Sequence, residues 1–344
     1  MGSQQTLPRN LNADLALSRQ WLVVGLAIAM GYSFGLIWRT YTQHVIVDDF
    51  VSYYGGARAL GNVPNLYDEA VNHRLQIQAT GHTGPDLTFI RLPWFALLVW
   101  PLGQLPYGAA YTLWFVLRLL AVAGFIYWWP HAPRSHVIIA CCLSLPLAAA
   151  LYNGQDVPLL LLWIGLWQKF EHDGRPFAGG LALSLCIAKY NLLLLVPLLL
   201  ILHRRKLTIL GAATGVAILG AISFLVQPDW PQKYVELLSH RMSNPSQALM
   251  PNIHGLLGVS GAPELILALL VAATAAVLIY RSDFLTGLAV ALIGSFLISH
   301  HAFVADGLIL IPAILILYQR PQVGRAVSII LGLPIVWVLV WNRA

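Results

Sequence analysis

Residues 203–226 read HRRKLTILGAATGVAILGAISFLV. A short basic run, His203 to Lys206, leads into twenty residues without a charge, Leu207 to Val226. A helix needs about 20 mainly apolar residues to cross the hydrocarbon core of a bilayer. Basic residues flanking such a run mark its cytoplasmic end. The rest of the chain extends this pattern. Its 344 residues are 58% hydrophobic and 10% charged, with a mean hydropathy of +0.71, whereas a soluble domain carries about 25% charged residues. The expected fold class is an all-α polytopic membrane protein. The net charge of +6 does not point to nucleic acid, because no basic run is longer than His203–Lys206. Cys141, Cys142 and Cys186 lie in apolar stretches without a CxxC pair, as small buried hydrophobes do.

Apolar segments fall at about 21–38, 92–106, 107–129, 135–151, 155–168, 177–202, 207–226, 262–280, 284–299, 303–318 and 323–341. Two long polar stretches, 39–89 and 227–261, interrupt them. No linker separates soluble domains, so residues 1–344 are expected to form a single membrane domain. The first twenty residues are polar and no small-residue cleavage site follows 21–38, so that segment reads as a retained helix rather than a signal peptide. Arg9 and Arg19 place 1–20 in the cytoplasm and 39–89 outside. Two topologies then remain. If 92–106 spans by itself, Arg134 and the Lys169/Arg175 loop fall outside. If it lies along the outer interface, those loops fall inside with His203–Lys206, and 177–202 becomes two short helices meeting outside near Lys189. The second is preferred. It puts every short basic loop on one side and explains the interior prolines and the brevity of 92–106. It gives eleven spans, a first extracytoplasmic loop over 39–106 with juxtamembrane helices, and a second long one over 227–261.

In that topology most remaining polar residues gather on the outer face, including the Asn153-Gly154-Gln155-Asp156 turn, Lys189 and Ser299-His300-His301. Ionisable groups at membrane depth are costly and usually functional. A one-sided collection suggests an outward-facing active cavity. The first loop carries adjacent carboxylates, Asp48 and Asp49, followed by Tyr53, Tyr54 and Arg58. A carboxylate between apolar walls at a membrane surface has a raised pKa and suits a general base. An Asp there also serves as an ordinary helix cap. Adjacent residues point in different directions, so one of the two faces the cavity; the register with Tyr53-Tyr54 favours Asp49. Trp94, Trp100, Trp114, Trp128, Trp129, Trp337 and Trp341 lie near segment ends, where interface belts place tryptophan. His254 and Asn252 are candidates to line an acceptor groove.

The pattern Asp49-Phe50-x-x-Tyr53-Tyr54-x-x-Ala57, followed by Tyr67-Asp68, resembles the first-loop signature of glycosyltransferase family 87, the polyprenyl-phosphate-mannose-dependent enzymes of the GT-C type. Pro93-Trp94-Phe95-Ala96-Leu97-Leu98, Asn153-Gly154-Gln155, Gly180 with Lys189, and Ser299-His300-His301 with Asp306 follow in the family's order over residues 40–320. The chain departs from the pattern in three places. Arg91-Leu92-Pro93 stands for Tyr-Pro-Pro, Val157-Pro158 follows Gln155-Asp156 where an Asn is usual, and His300 replaces a Pro.

The resemblance implies that Asp49 takes the proton of the acceptor hydroxyl and that the lipid phosphate leaves from the opposite face, with inversion. It implies a polyprenyl-phosphate sugar donor, a glycolipid or other envelope acceptor, and a plasma (inner) membrane location with the site on the extracytoplasmic side. Charge growing on the phosphate needs cationic or hydrogen-bonding partners; Arg91, Lys189, His300 and His301 are the candidates. Asp48, Tyr53, Tyr54, Arg58, Asn153, Gln155, His254 and Asp306 are further cavity candidates. No metal-ligand spacing occurs, and His300 and His301 cannot both face one site on a regular helix. Neither metal nor cofactor is therefore expected. A transporter or flippase for a lipid-linked sugar and a non-catalytic envelope-assembly subunit are the alternatives.

Overall fold

The computed structural model describes residues 49–60, 65–81, 87–240, 247, 250–258 and 260–341. Asp48 and the expected first helix lie outside the described residues. Every regular element among these residues is helical. Among the described residues, four helices are long and apolar enough to cross a membrane: Tyr107–Trp128, Pro176–Leu193, Lys206–Val226 and Ala262–Arg281. A bent pair, Arg134–Cys142 with Leu145–Tyr152, makes a fifth if counted as one span.

The helices are α1 (Phe50–Ala59), α2 (Glu69–Thr80), α3 (Pro93–Gly103), α4 (Tyr107–Trp128), α5 (Arg134–Cys142), α6 (Leu145–Tyr152), α7 (Val157–His172) and α8 (Pro176–Ser184). After a 3₁₀ stretch, Leu185–Leu193, come α9 (Val196–Leu202), α10 (Lys206–Val226), α11 (Trp230–His240), α12 (Ile253–Leu257), α13 (Ala262–Arg281) and α14 (Phe284–Ile298). A second 3₁₀ stretch, Val304–Leu310, precedes α15 (Ile311–Tyr318), α16 (Val323–Gly332) and α17 (Pro334–Trp341).

Several apolar segments are broken rather than continuous, and proline marks the breaks. Pro146, Pro197, Pro312 and Pro334 each stand in the first two positions of a new helix, where a missing N–H costs nothing. At the first of these breaks Ser144 caps α6 by accepting from Leu147 N at 3.2 Å, and α5 and α6 meet at 62°. Segment 177–202 breaks at Lys189, whose backbone leaves the helical region (φ −140°, ψ 56°). Segment 92–106 forms the 11-residue α3, shorter than a perpendicular crossing requires.

The core follows α7, whose Val157, Leu160, Leu161, Ile164 and Trp167 are fully buried. By contrast α13 exposes Leu265, Ile266, Leu269 and Leu270, a lipid-facing pattern. Close packing without a hydrophobic driving force requires small residues at helix contacts. Between α8 and α10 these are Gly180 and Gly211: a Cβ on Gly211 would strike the Phe177 carbonyl, and one on Gly180 the Thr208 carbonyl.

Polar groups gather at two ends. At one, His131 meets Gln168 at 3.0 Å, Glu171 pairs with Arg205 at 3.6 Å, Asp283 pairs with Arg320 at 2.7 Å, and Gln319 donates to the His131 carbonyl. The loops carrying Arg134, Lys169, Arg175 and His203–Lys206 share this end. The other end begins at Asp156, roughly 22 Å away along α7 at 1.5 Å per residue. There the two long polar stretches touch, with Leu66 N donating to Gln227 Oε1 at 3.0 Å and the Tyr67 and Tyr234 rings 5.5 Å apart.

Gly211→Leu should drive α8 from α10. Overpacking of this kind costs about 1–3 kcal/mol or more. Thermal unfolding in detergent should show a lowered Tm, while Gly220→Leu, where a Cβ meets open space, should unfold like the parent. Equal Tm values for both variants would refute the close contact.

Candidate active site

Asp49 stands at the start of α1, yet its carboxylate does not cap that helix. Its carbonyl accepts from Ser52 N and Oγ at 3.1 and 2.9 Å, and its N–H donates to the Asn153 carbonyl at 2.8 Å. The carboxylate accepts from Gln155 Nε2. By comparison, Asp68 does cap, accepting from Val71 N at 2.9 Å to start α2.

Gln155 sits in the turn between α6 and α7, and α4 fixes that turn. Arg118, fully buried in the middle of α4, donates from Nη1 to the carbonyls of Ala150 and Leu151 at 2.9 Å each. These are last-turn carbonyls of α6, which a cation satisfies well. One turn away, Trp114 Nε1 donates to the Gly154 carbonyl at 2.8 Å. Trp114 is thus a buried strut rather than part of an interface belt. Gly154, at φ +68°, supplies the left-handed residue the turn requires.

The Gln155 amide joins two halves of a charged network. Its Oε1 accepts from Lys189 Nζ at 2.9 Å. Lys189 also donates to Asp306 and lies 3.6 Å from Asp156. The break at Lys189 delivers this ammonium to the junction. Arg91 grips Asp156 with two hydrogen bonds, Nε to Oδ2 at 2.7 Å and Nη2 to Oδ1 at 3.1 Å, and donates to Tyr53 Oη at 3.2 Å. The Tyr53 ring is boxed edge-on by Phe95 and Trp114. Asp306 also accepts from Phe303 N at 2.8 Å.

Three carboxylates, Asp49, Asp156 and Asp306, thus share two cations, Arg91 and Lys189. Asp156 and Asp306 hold the cations directly; Asp49 is bonded to an amide. Burial pushes the Asp49 carboxyl up from its ordinary 3.8 to about 7; Lys189 and Arg91 pull it down, Asp156 and Asp306 push it further up.

A second cluster joins His254 and His300 through Glu264, with Nδ1–Oε distances of 3.1 and 2.8 Å. His301 lies beside its neighbour but apart from this cluster. Its ring packs edge-on to Phe303 and its carbonyl accepts from Asn191 Nδ2 at 2.6 Å. Burial lowers its pKa to about 4, with Asp306 opposing and Lys189 and Arg91 reinforcing.

Of the residues singled out from sequence, the structure brings together Asp49, Tyr53, Arg91, Gln155, Lys189 and Asp306, with Asn153 contributing its carbonyl. Tyr54 and Arg58 point elsewhere: Tyr54 donates to the Leu105 carbonyl at 2.8 Å and accepts from Arg58 at 3.2 Å. His300 and His254 turn to Glu264. Asn252 braces the turn after α14, donating to the Ser299 carbonyl at 2.6 Å. The sequence reading passed over Asp156, Arg118 and Glu264 as site residues. Arg118 had a signal, being a lone charge within an apolar span. Asp156 and Glu264 each open an apolar helix beside a proline and look like ordinary N-terminal acids.

The sequence model of glycosyltransferase family 87 matches residues 89–305, more than half of the chain. This match covers Arg91, Gln155, Asp156 and Lys189. No curated protein and no solved structure matches the chain.

Arg91→Gln should strand the buried Asp156 with only the more distant Lys189. Removing one partner of a buried pair costs about 3–5 kcal/mol. The double variant Arg91→Met/Asp156→Leu should regain most of the lost Tm, since apolar replacement of a buried pair is often neutral. A single variant as stable as the parent would show that the pair does not hold the site.

Proposed function

Since the chain belongs to glycosyltransferase family 87, and is thus a membrane glycosyltransferase, we propose that it moves a hexose, mannose by family resemblance, from polyprenyl phosphate to an acceptor hydroxyl, with Asp49 as general base. One arrangement carries the reading: the Asp49 carboxylate is held by an amide that also binds a buried ammonium, in surroundings whose burial pushes its pKa up to about 7. A general base works best with a pKa near the working pH.

In this reading the acceptor O–H gives its proton to Asp49 as its oxygen attacks the anomeric carbon. The bond from that carbon to the phosphate oxygen breaks on the opposite face, the electron pair leaves with the phosphate, and configuration inverts. Gln155 orients the base. Lys189 and Arg91 supply positive charge as the phosphate departs. His300 is engaged with Glu264, and His301, its pKa depressed to about 4, is not a standing cation, so the donor-binding role proposed from sequence narrows to Lys189 and Arg91. Gathering of the basic loops at the end opposite Asp49 supports an extracytoplasmic site by the positive-inside rule, and the eleven-span arrangement of the plasma (inner) membrane goes with it.

Purified protein given radiolabelled polyprenyl-phosphate mannose and a lipid extract should yield labelled glycolipid. Asp49→Asn should slow turnover by about 10²–10⁴-fold, the usual loss for a general base, and Asp48→Asn far less. Normal turnover by Asp49→Asn would remove this loop from the chemistry.

The raised Asp49 pKa sets two pH dependences. Turnover should rise with pH and reach half its plateau near 7, where the base becomes ionised. Stability runs the other way. Between about 4 and 7 the folded state binds a proton that the unfolded chain has released, so this group's contribution to stability falls as pH rises. Unfolding measured across that window should show the fall, and Asp49→Asn should flatten it. A parent profile as flat as the variant's would contradict the burial of this carboxyl.

A further inference from the structure

We propose that His254, Glu264 and His300 bind one divalent transition-metal ion, Zn²⁺ by the character of the donors, and that this ion pins the second long polar stretch to the turn after α14. The three ligands come from three separate segments: α12, the first turn of α13, and the residues following α14. Their ligand atoms all lie within 4.8 Å of one another. The two Nδ1 atoms approach opposite oxygens of one carboxylate, at 3.1 and 2.8 Å, and the two rings lie side by side, tilted by 51°, with centroids 4.2 Å apart. Tetrahedral Zn²⁺ holds N and O ligands at about 2.0–2.2 Å, which corresponds to ligand–ligand edges of about 3.3 Å. The cluster therefore reaches a coordinating arrangement by small side-chain shifts.

The surroundings are set for such a site. Asn252 Nδ2 donates to the Ser299 carbonyl at 2.6 Å while its Oδ1 accepts from Gly255 N at 2.9 Å. Gln247 Nε2 donates to the His254 carbonyl at 2.9 Å. Gly255 closes this loop tightly, for a Cβ there would strike the carbonyls of Met250 and Gln247. The backbone carrying two of the ligands is thus held in place by its own carbonyl and N–H groups, and Gln247 Nε2 also stands 3.4 Å from His254 Nδ1. The His254 and Glu264 side chains are 6% and 15% exposed, whereas that of His300 is 57% exposed. Two ligands are fixed inside and the third stands at the surface, an arrangement that leaves an entry path and a fourth position for water. Imidazole and carboxylate together favour Zn²⁺ and its neighbours over Ca²⁺ or Mg²⁺, which prefer all-oxygen sites.

The ion would act through structure. Asn191, two residues from Lys189, donates to the Ser299 hydroxyl and the His301 carbonyl at 2.9 and 2.6 Å. Clamping the 299–301 turn therefore steadies the segment next to the Lys189 break.

The test uses full-length protein carrying an affinity tag without histidine, stripped of metal with a chelator and titrated with Zn²⁺. One equivalent should bind and raise the Tm, and Co²⁺ in its place should give the visible absorption of a tetrahedral site. Loss of an outer-shell partner costs about 10–100-fold in metal affinity; Glu264→Gln and His300→Gln, which remove ligands, should each lose more than that, and Asp49→Asn should bind as the parent does. His300→Gln keeps the experiment decisive because its surface position makes misfolding no explanation. Absence of stoichiometric uptake, or uptake unchanged by both ligand variants, would overturn the site and leave a hydrogen-bonded triad.

Discussion

The structure depends on how few positive charges it buries beside its negative ones. Arg91 and Lys189 sit among Asp49, Asp156 and Asp306, and all but Asp49 are fully or nearly fully enclosed. Ionised groups away from water survive only when paired and hydrogen-bonded. With two cations for three acids, one acid must go short. The bidentate grip of Arg91 on Asp156 and the direct contact of Lys189 with Asp306 leave that place to Asp49. Its proton affinity is raised first by burial, with Lys189 and Arg91 opposing and Asp156 and Asp306 adding to the rise.

Getting polar groups to one level requires that apolar helices stop there. Proline does much of this stopping, aided by the kink at Lys189 and the left-handed Gly154. Each break frees backbone groups that would be costly in hydrocarbon, and several are answered by a side chain: Ser144 for Leu147, Asp306 for Phe303, Arg118 for the end of α6. Irregular backbone at membrane depth is tolerated only when enclosed by protein in this manner.

Much of this was legible in the sequence. The charge-poor apolar runs disclosed a helical membrane protein, and the order of short motifs singled out Asp49, Arg91, Gln155, Lys189 and Asp306 for one site. Periodicity could not supply the pairings, because the partners lie 65, 106 and 117 residues apart for Arg91–Asp156, Asp49–Gln155 and Lys189–Asp306. Nor could it show that His300 leaves the turn towards Glu264 while its neighbour does not. Asp156 escaped notice for a related reason: an acid at the mouth of a helix already has a local explanation, and only the approach of Arg91 gives it another. Continuous apolar segments also hid their breaks, since hydropathy averaged over a window does not register a single proline.

The clasp of α4 on the Gln155 turn has a mechanical consequence. Arg118 and Trp114 are rungs on one of the long apolar helices, and they hold carbonyls of Ala150, Leu151 and Gly154. The vertical register of the Gln155 amide is therefore gauged from α4, and through it from the lipid that wets the exposed face of that helix at Leu113, Leu117 and Leu120. A membrane whose thickness forces α4 to tilt or slide carries the amide with it and alters its reach to Asp49 and Lys189. Bilayer thickness thereby becomes one of the coordinates on which the alignment of carboxylate and ammonium depends.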